Sequence, residues 1–225
     1  MDLIEAMRSQ PANRFYTTDP VPTEVFYRAV DNARFGPQGG NRQPVRFLFV
    51  TDADKKAQLA EWYMQPWSAY YEQASSDQGE ALTAESGDTK ATQAVMSKAS
   101  VVAANAFAEN LASVPAIIVA CADLEQTHPT DTDLDRLSIV GGASVYPVVQ
   151  NLCLALRNEG VATTLTTLLC LFEPQVKDLL GIPEGLATAC HIAAGYPAKP
   201  FPTKLTRHPV EDIAFMDTFD NPLSI

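Results

Sequence analysis

Residues Ala116 to Ala122 (AIIVACA) are apolar without a break, over a length that suits a β-strand. A strand with no polar face has nothing to turn toward water, so it reads as buried and demands a folded body around it. Other strand-like runs are few. Val45 to Val50 (VRFLFV) is rich in β-formers, VATTLTT ending at Thr167 is β-branched, and ACHIAAGYP ending at Pro197 reads as the last core strand.

Between these runs the apolar spacing is helical. Residues 2–9 form a short amphipathic segment. Pro22 suits the first turn of a helix carrying Val25, Phe26, Ala29, Val30 and Ala33, and Gly36-Pro37 stops it. Asp52 or Asp54 can cap a helix running through Leu59, Trp62 and Tyr63. Helical character returns from Val95 to Leu111, and a central, largely buried helix from Gly141 to Asn158 sets Val145, Val149, Leu152 and Leu156 on one face. Val148 and Leu154 widen that face, Gly160 ends the helix, and a short helix follows at Glu173 to Leu180. Few strands among long helices give an α+β fold, with a central mixed or antiparallel sheet surrounded by helices in one domain over residues 1–225. Residues 75–93 are polar and small and read as a surface insertion. From about residue 198 a proline-rich tail loses periodicity and lacks a core of its own.

Sixteen Lys and Arg against 27 Asp and Glu give a formal charge of −11, the wrong sign for nucleic acid or an anionic membrane and compatible with a small-molecule partner. No apolar run reaches transmembrane length, and Asp2 and Glu5 spoil the basic start of a signal peptide, so the expected location is cytoplasmic. Cys121, Cys153, Cys170 and Cys190 form no C-x-x-C pair, and His128, His191 and His208 are scattered, so neither disulfide scaffold nor metal site is expected. The Gly-rich fingerprints of dinucleotide and P-loop sites are missing too.

Three clusters carry polar chemistry. The loop Pro37-Gln38-Gly39-Gly40-Asn41-Arg42-Gln43-Pro44 pairs two glycines, which let backbone approach a ligand, with amide side chains. Arg14, Lys204 and Arg207 are cations in an acidic chain, and arginine offers a fork suited to phosphate. Thr163 to Thr167 offer hydroxyls and backbone to a polar aromatic ligand.

In this order the clusters resemble the nitroreductase family, FMN enzymes that form an intertwined homodimer. The likeness runs through DPVPTEVFYRAVDNARFGPQGGNRQPVRFLFVTD, SVPAIIVACAD, VQNLCLALRNEGVATTLTT, LLGIPEG and AAGYPA to a basic segment before Pro209. The resemblance implies that Arg14 serves the FMN phosphate and ribityl chain and Arg207 the phosphate, with Lys204 beside it. It assigns Pro37, Gln38, Gly39, Gly40, Asn41 and Gln43 to the ring and ribityl group, and Asn105 to the ring's polar edge. Thr166, Thr167 and Leu168 fall on the segment facing flavin N5, with the Thr167 backbone as the catalytic contact. Where the family carries an arginine followed two residues later by Ser or Thr, this chain has Gln10, Pro11 and Ala12. A lost charge-assisted phosphate contact is worth roughly 1.5–3 kcal/mol, and Arg8 is the nearby candidate to replace it. Val45 stands in place of the family's aromatic.

The implied reaction is hydride transfer from NAD(P)H through the flavin to a nitroaromatic, quinone or enone, with Trp62, Trp67, Tyr70 and Tyr71 as the acceptor wall. Flavin fragmentation, dehalogenation and a non-catalytic flavin-binding dimer are the alternatives within the same fold.

Overall fold

In a computed structural model, which describes residues 1–75 and 98–225, four strands form one antiparallel sheet in the order β1-β2-β4-β3. They are β1 (Val45–Val50), β2 (Ala116–Asp123), β3 (Ala162–Thr166) and β4 (Leu186–Gly195). Six helices surround them: α1 (Leu3–Ser9), α2 (Thr23–Ala33), α3 (Ala53–Ser75), α4 (Lys98–Glu109), α5 (Tyr146–Asn158) and α6 (Glu173–Leu180). The α+β expectation holds, and every strand pair is antiparallel. Most of the 75–93 insertion lies outside the described residues.

Both faces of the sheet are covered, which is why β2 is apolar at successive positions. On one face Ile118, Ala120, Cys190 and Ile192 pack against Val25, Phe26 and Ala29 of α2 and Val149, Leu152 and Leu156 of α5. On the other, Ile117, Val119 and Ala193 meet Leu59, Tyr63 and Trp67 of α3, Phe107 of α4 and Val176 of α6. Among the described residues no helix is long and apolar enough to cross a membrane.

Local signals placed several ends correctly. The Asp2 carboxylate accepts the N–H groups of Ile4 and Glu5 at the start of α1, and Asp52 accepts that of Lys55 at the start of α3. Pro22 stands at the N-cap of α2, one step before the first turn, with extended backbone. The central helix begins at Tyr146, with Pro147 in its first turn, while Val140–Gly142 forms a separate 3-10 turn. Gly160 has φ +80, a left-handed conformation that glycine adopts without penalty.

Gly195 closes β4 where three segments crowd. A Cβ there would stand 2.6 Å from Cδ and Cγ of Pro115 and 3.1 Å from the Tyr16 ring. Because the proline ring cannot rotate away, Gly195→Ala is expected to destabilise the protein by about 1–3 kcal/mol. Urea unfolding checks this; a midpoint equal to that of the wild type would mean the segments part freely.

Candidate functional site

The N-terminal segment after α1 runs along the outer edge of β3. Gln10 Nε2 donates to Thr163 Oγ1 at 2.5 Å, and the Asn13 N–H donates to the Thr163 carbonyl at 3.0 Å. The Tyr16 hydroxyl lies 2.9 Å from the Asn13 carbonyl oxygen and 3.0 Å from Thr164 Oγ1, which also bonds to that carbonyl. On its other side the segment meets the start of the tail: Ala198 N–H donates to the Phe15 carbonyl, and Tyr16 bridges to Pro197. An edge strand's free backbone groups thereby find partners.

This clamp fixes Arg14, half-buried, beside two tyrosines. Burial pushes the Tyr16 hydroxyl well above its ordinary value. The same effect raises Tyr63, opposed by its hydrogen bond to Thr166 and by the Arg14 charge. Both phenols are therefore neutral at physiological pH. Arg14, Phe15 and Tyr16 line a recess of about 210 Å³ with Phe107, Asn110 and Val114. Tyr16 was not singled out in the sequence, where only its position near Arg14 hinted at it, and Tyr63 entered only as one member of the aromatic run on α3.

Beyond β3 the chain turns. Thr167 is exposed at the N-cap position of the 3-10 turn Leu168–Phe172, with no side-chain capping bond, and the Leu168 N–H faces Thr166 Oγ1 at 3.4 Å, long for such a bond. His191 lies across from Thr166 on β4, fully buried, with Nε2 unpartnered and Nδ1 4.0 Å from the Cys170 sulfur. Desolvation lowers its pKa to about 4. Burial raises the neighbouring thiols, Cys121 to about 11 and Cys190 to about 12, so they are protonated and poor nucleophiles at neutral pH.

The glycine loop forms a second, separate cluster. Gly40, Asn41 and Gln43 all have positive φ, a conformation uncommon for residues with a Cβ. The Gly39 N–H donates to Ser144 Oγ at 3.0 Å, tying the loop to the segment before α5. Pro37 to Gly40 and Arg42 line a cavity of about 490 Å³ with Gln126 to His128, Val140, Gly141, Ala143 and Ser144. Asp131 holds its far wall, accepting Arg136, Ser138 Oγ and the Ile139 and Val140 N–H groups, which keep its carboxyl well below the usual range.

The other nominated residues are distributed unevenly. Pro11 and Ala12 lie in the clamped segment beside Gln10. Lys204 and Arg207 are exposed in the tail; neither they nor Arg14 forms an ion pair among the described residues. Asn105 accepts a bond from Trp67 Nε1 at 3.0 Å and donates to Glu109, so its amide is engaged between helices. Trp67 is buried in the core and Trp62 stacks on Phe172, while Tyr71 is half-buried and Tyr70 exposed. Arg8 is exposed on α1, whereas Arg157, which the sequence did not single out, is buried in α5.

Comparison with known proteins extends this architecture beyond one chain. The NADPH:FMN oxidoreductase of Vibrio harveyi, solved with NAD+, matches 96% of this chain and 76% of its own, at 20% identity and a TM-score of 0.64. An iodotyrosine deiodinase bound to FMN and 3-iodo-L-tyrosine matches 97% of this chain and 100% of its own, at 22% identity and a TM-score of 0.70. A nitroreductase family protein from Clostridium difficile matches 97% and 99%, at 18% identity and a TM-score of 0.62. These similarities establish a shared fold. The Nitroreductase family model matches residues 7–196, from within α1 through every strand of the sheet, and the chain belongs to the nitroreductase family.

Proposed function

We propose that this chain is an FMN-dependent oxidoreductase that moves hydride from NAD(P)H to a small acceptor such as a nitroaromatic, quinone or enone, in sites shared between two copies. The observation that carries the reading is the placement of its two polar clusters. The glycine loop enters β1 at one edge of the sheet, and Thr163 to Thr166 lie on β3 at the opposite edge. Three strand spacings and the offset between Val45, level with Ala187, and Thr166, level with His191, separate them by roughly 15–20 Å. One flavin ring cannot touch both within one chain. A two-fold dimer brings the loop of one copy to the β3 edge of the other.

The residues present fit FMN. Among the described residues, Gln10 Oε1 and Arg157 Nε are buried polar atoms without partners, and Arg14, Lys204 and Arg207 are cations without a carboxylate. Bound FMN supplies the hydride chemistry. Arg14, held by the clamp along β3, offers a charge-assisted bond to the ribityl side. The Thr167–Leu168 turn presents backbone N–H at the flavin edge, and the long Leu168 contact leaves that donor free for a better acceptor. Loop amides at Asn41 and Gln43, set by their positive φ, reach the ring from the second copy. Exposed Tyr70 is the member of the aromatic run best placed to meet an acceptor. The exposed apolar tail, with Ile213, Met216 and Phe219 uncovered, finds its cover on the neighbouring copy.

Two measurements test this. The purified protein should be yellow, and NADH or NADPH should bleach it anaerobically. Arg14→Glu and Gly40→Val chains, each expected to hold little FMN, should recover it on co-expression, because random pairing in a two-fold dimer leaves about one site in four intact. Flavin bound normally by either variant, or no recovery from the pair, would refute the shared site.

A further inference from the structure

Arg157, in the last turn of α5, is 7% exposed, so its guanidinium has left water. Its Nη2 donates to Ser9 Oγ at 3.1 Å, its Nε has no partner, and no carboxylate pairs with it among the described residues. Burial lowers its pKa, with only the more distant charge of Glu5 opposing. A buried cation without an anion is costly and uncommon. The next residue after Ser9, Gln10, spends Nε2 on Thr163 and leaves Oε1 buried and unpartnered. The Phe201 ring lies 3.6 Å over the guanidinium, and Phe201 belongs to the tail that carries Lys204 and Arg207.

Three pieces of chain thus converge on one buried charge that makes no ion pair among the described residues, at the Thr163 end of β3, while Arg14 sits near Tyr63 and Thr166 at the other end. We infer that Arg157 is a phosphate-binding cation of the FMN site, supplying from α5 the charge that Gln10 does not. The inference rests on the FMN reading above. It gives the site a direction: phosphate toward Gln10, Arg157 and the tail, ring toward Thr166 to Leu168. Phe201 is then a cover that flattens against the guanidinium and shields the phosphate contact from water, which strengthens a charged hydrogen bond.

Full-length protein stripped of flavin separates the possibilities when titrated with FMN and with riboflavin, which lacks the phosphate, by flavin fluorescence. Arg157→Met should weaken FMN roughly ten- to a hundredfold, the loss of one charge-assisted contact, and leave riboflavin unchanged. Arg157→Lys, which keeps the charge but not the fork, should restore part of the difference. Should the Met variant not fold, Arg157→Gln carries the same expectation, since its amide can still donate to Ser9. Unchanged FMN affinity in the charge-free variant, or equal losses for FMN and riboflavin, overturns the inference while the cofactor reading stands. A wild type that binds neither flavin overturns both.

Discussion

Arg207→Ala is expected to strip FMN from the purified protein while Arg42→Ala leaves flavin content close to the wild type. Arg207 is exposed, and the acceptor for its Nη1 is the carbonyl of the preceding Thr206, at 2.7 Å. Among the described residues no ion pair uses that charge, so its removal should not move the melting temperature of the flavin-free protein. Its value appears when a phosphate is present, where one charged contact is worth about 1.5–3 kcal/mol, or tenfold and more in affinity. Arg42 lies in the glycine loop, its side chain close against Gly40, on the wall of the larger cavity. On the proposed reading a residue there meets ring or acceptor rather than phosphate. Flavin absorbance per protein, with matched thermal melts, decides the point; equal flavin in the two variants would remove Arg207 from the phosphate site.

Acidification should weaken the fold through His191. Its folded pKa of about 4 lies below the ordinary value of 6.5, because the ring is buried and its Nε2 has no partner to favour the charged form. Above pH 6.5 the group is neutral folded or unfolded and contributes no slope. Between pH 6.5 and 4 the unfolded chain takes up a proton that the folded chain refuses, so stability falls by about 3 kcal/mol across that window. Loss there would first loosen the turn from Leu168, since His191 packs beneath it beside Cys170. His191→Met, similar in volume and without a proton to bind, should flatten the slope. Guanidinium unfolding at several pH values measures it, and parallel pH profiles for the variant and the wild type would show that other groups carry the dependence.

Much of the framework was legible because periodicity records burial. The unbroken run from Ala116 to Ala122 could only be a strand covered twice, and α2 and α5 do cover one of its faces. Val149, Leu152 and Leu156, spaced for one side of a helix, point into that core, and α6 begins and ends where its residues suggested. Arg14 and the threonine run were visible as chemistry, and the order of motifs identified the family.

Other features were out of reach, because a local pattern states that a face is buried without stating against what. Trp67 and Asn105 looked like separate ligands until the packing of α3 on α4 bonded one to the other. Arg157 drew no notice in the sequence; its burial depends on Ser9 and Phe201, each distant in sequence. The sequence by itself determined which segments are strands and helices and which residues carry polar chemistry. Only the tertiary structure decided that β1 and β3 occupy opposite edges, since strand order follows from non-local pairing that no run of residues encodes. That order separates the glycine loop from Thr166 within one chain, and this separation is what the proposed sharing of the site between two copies rests on.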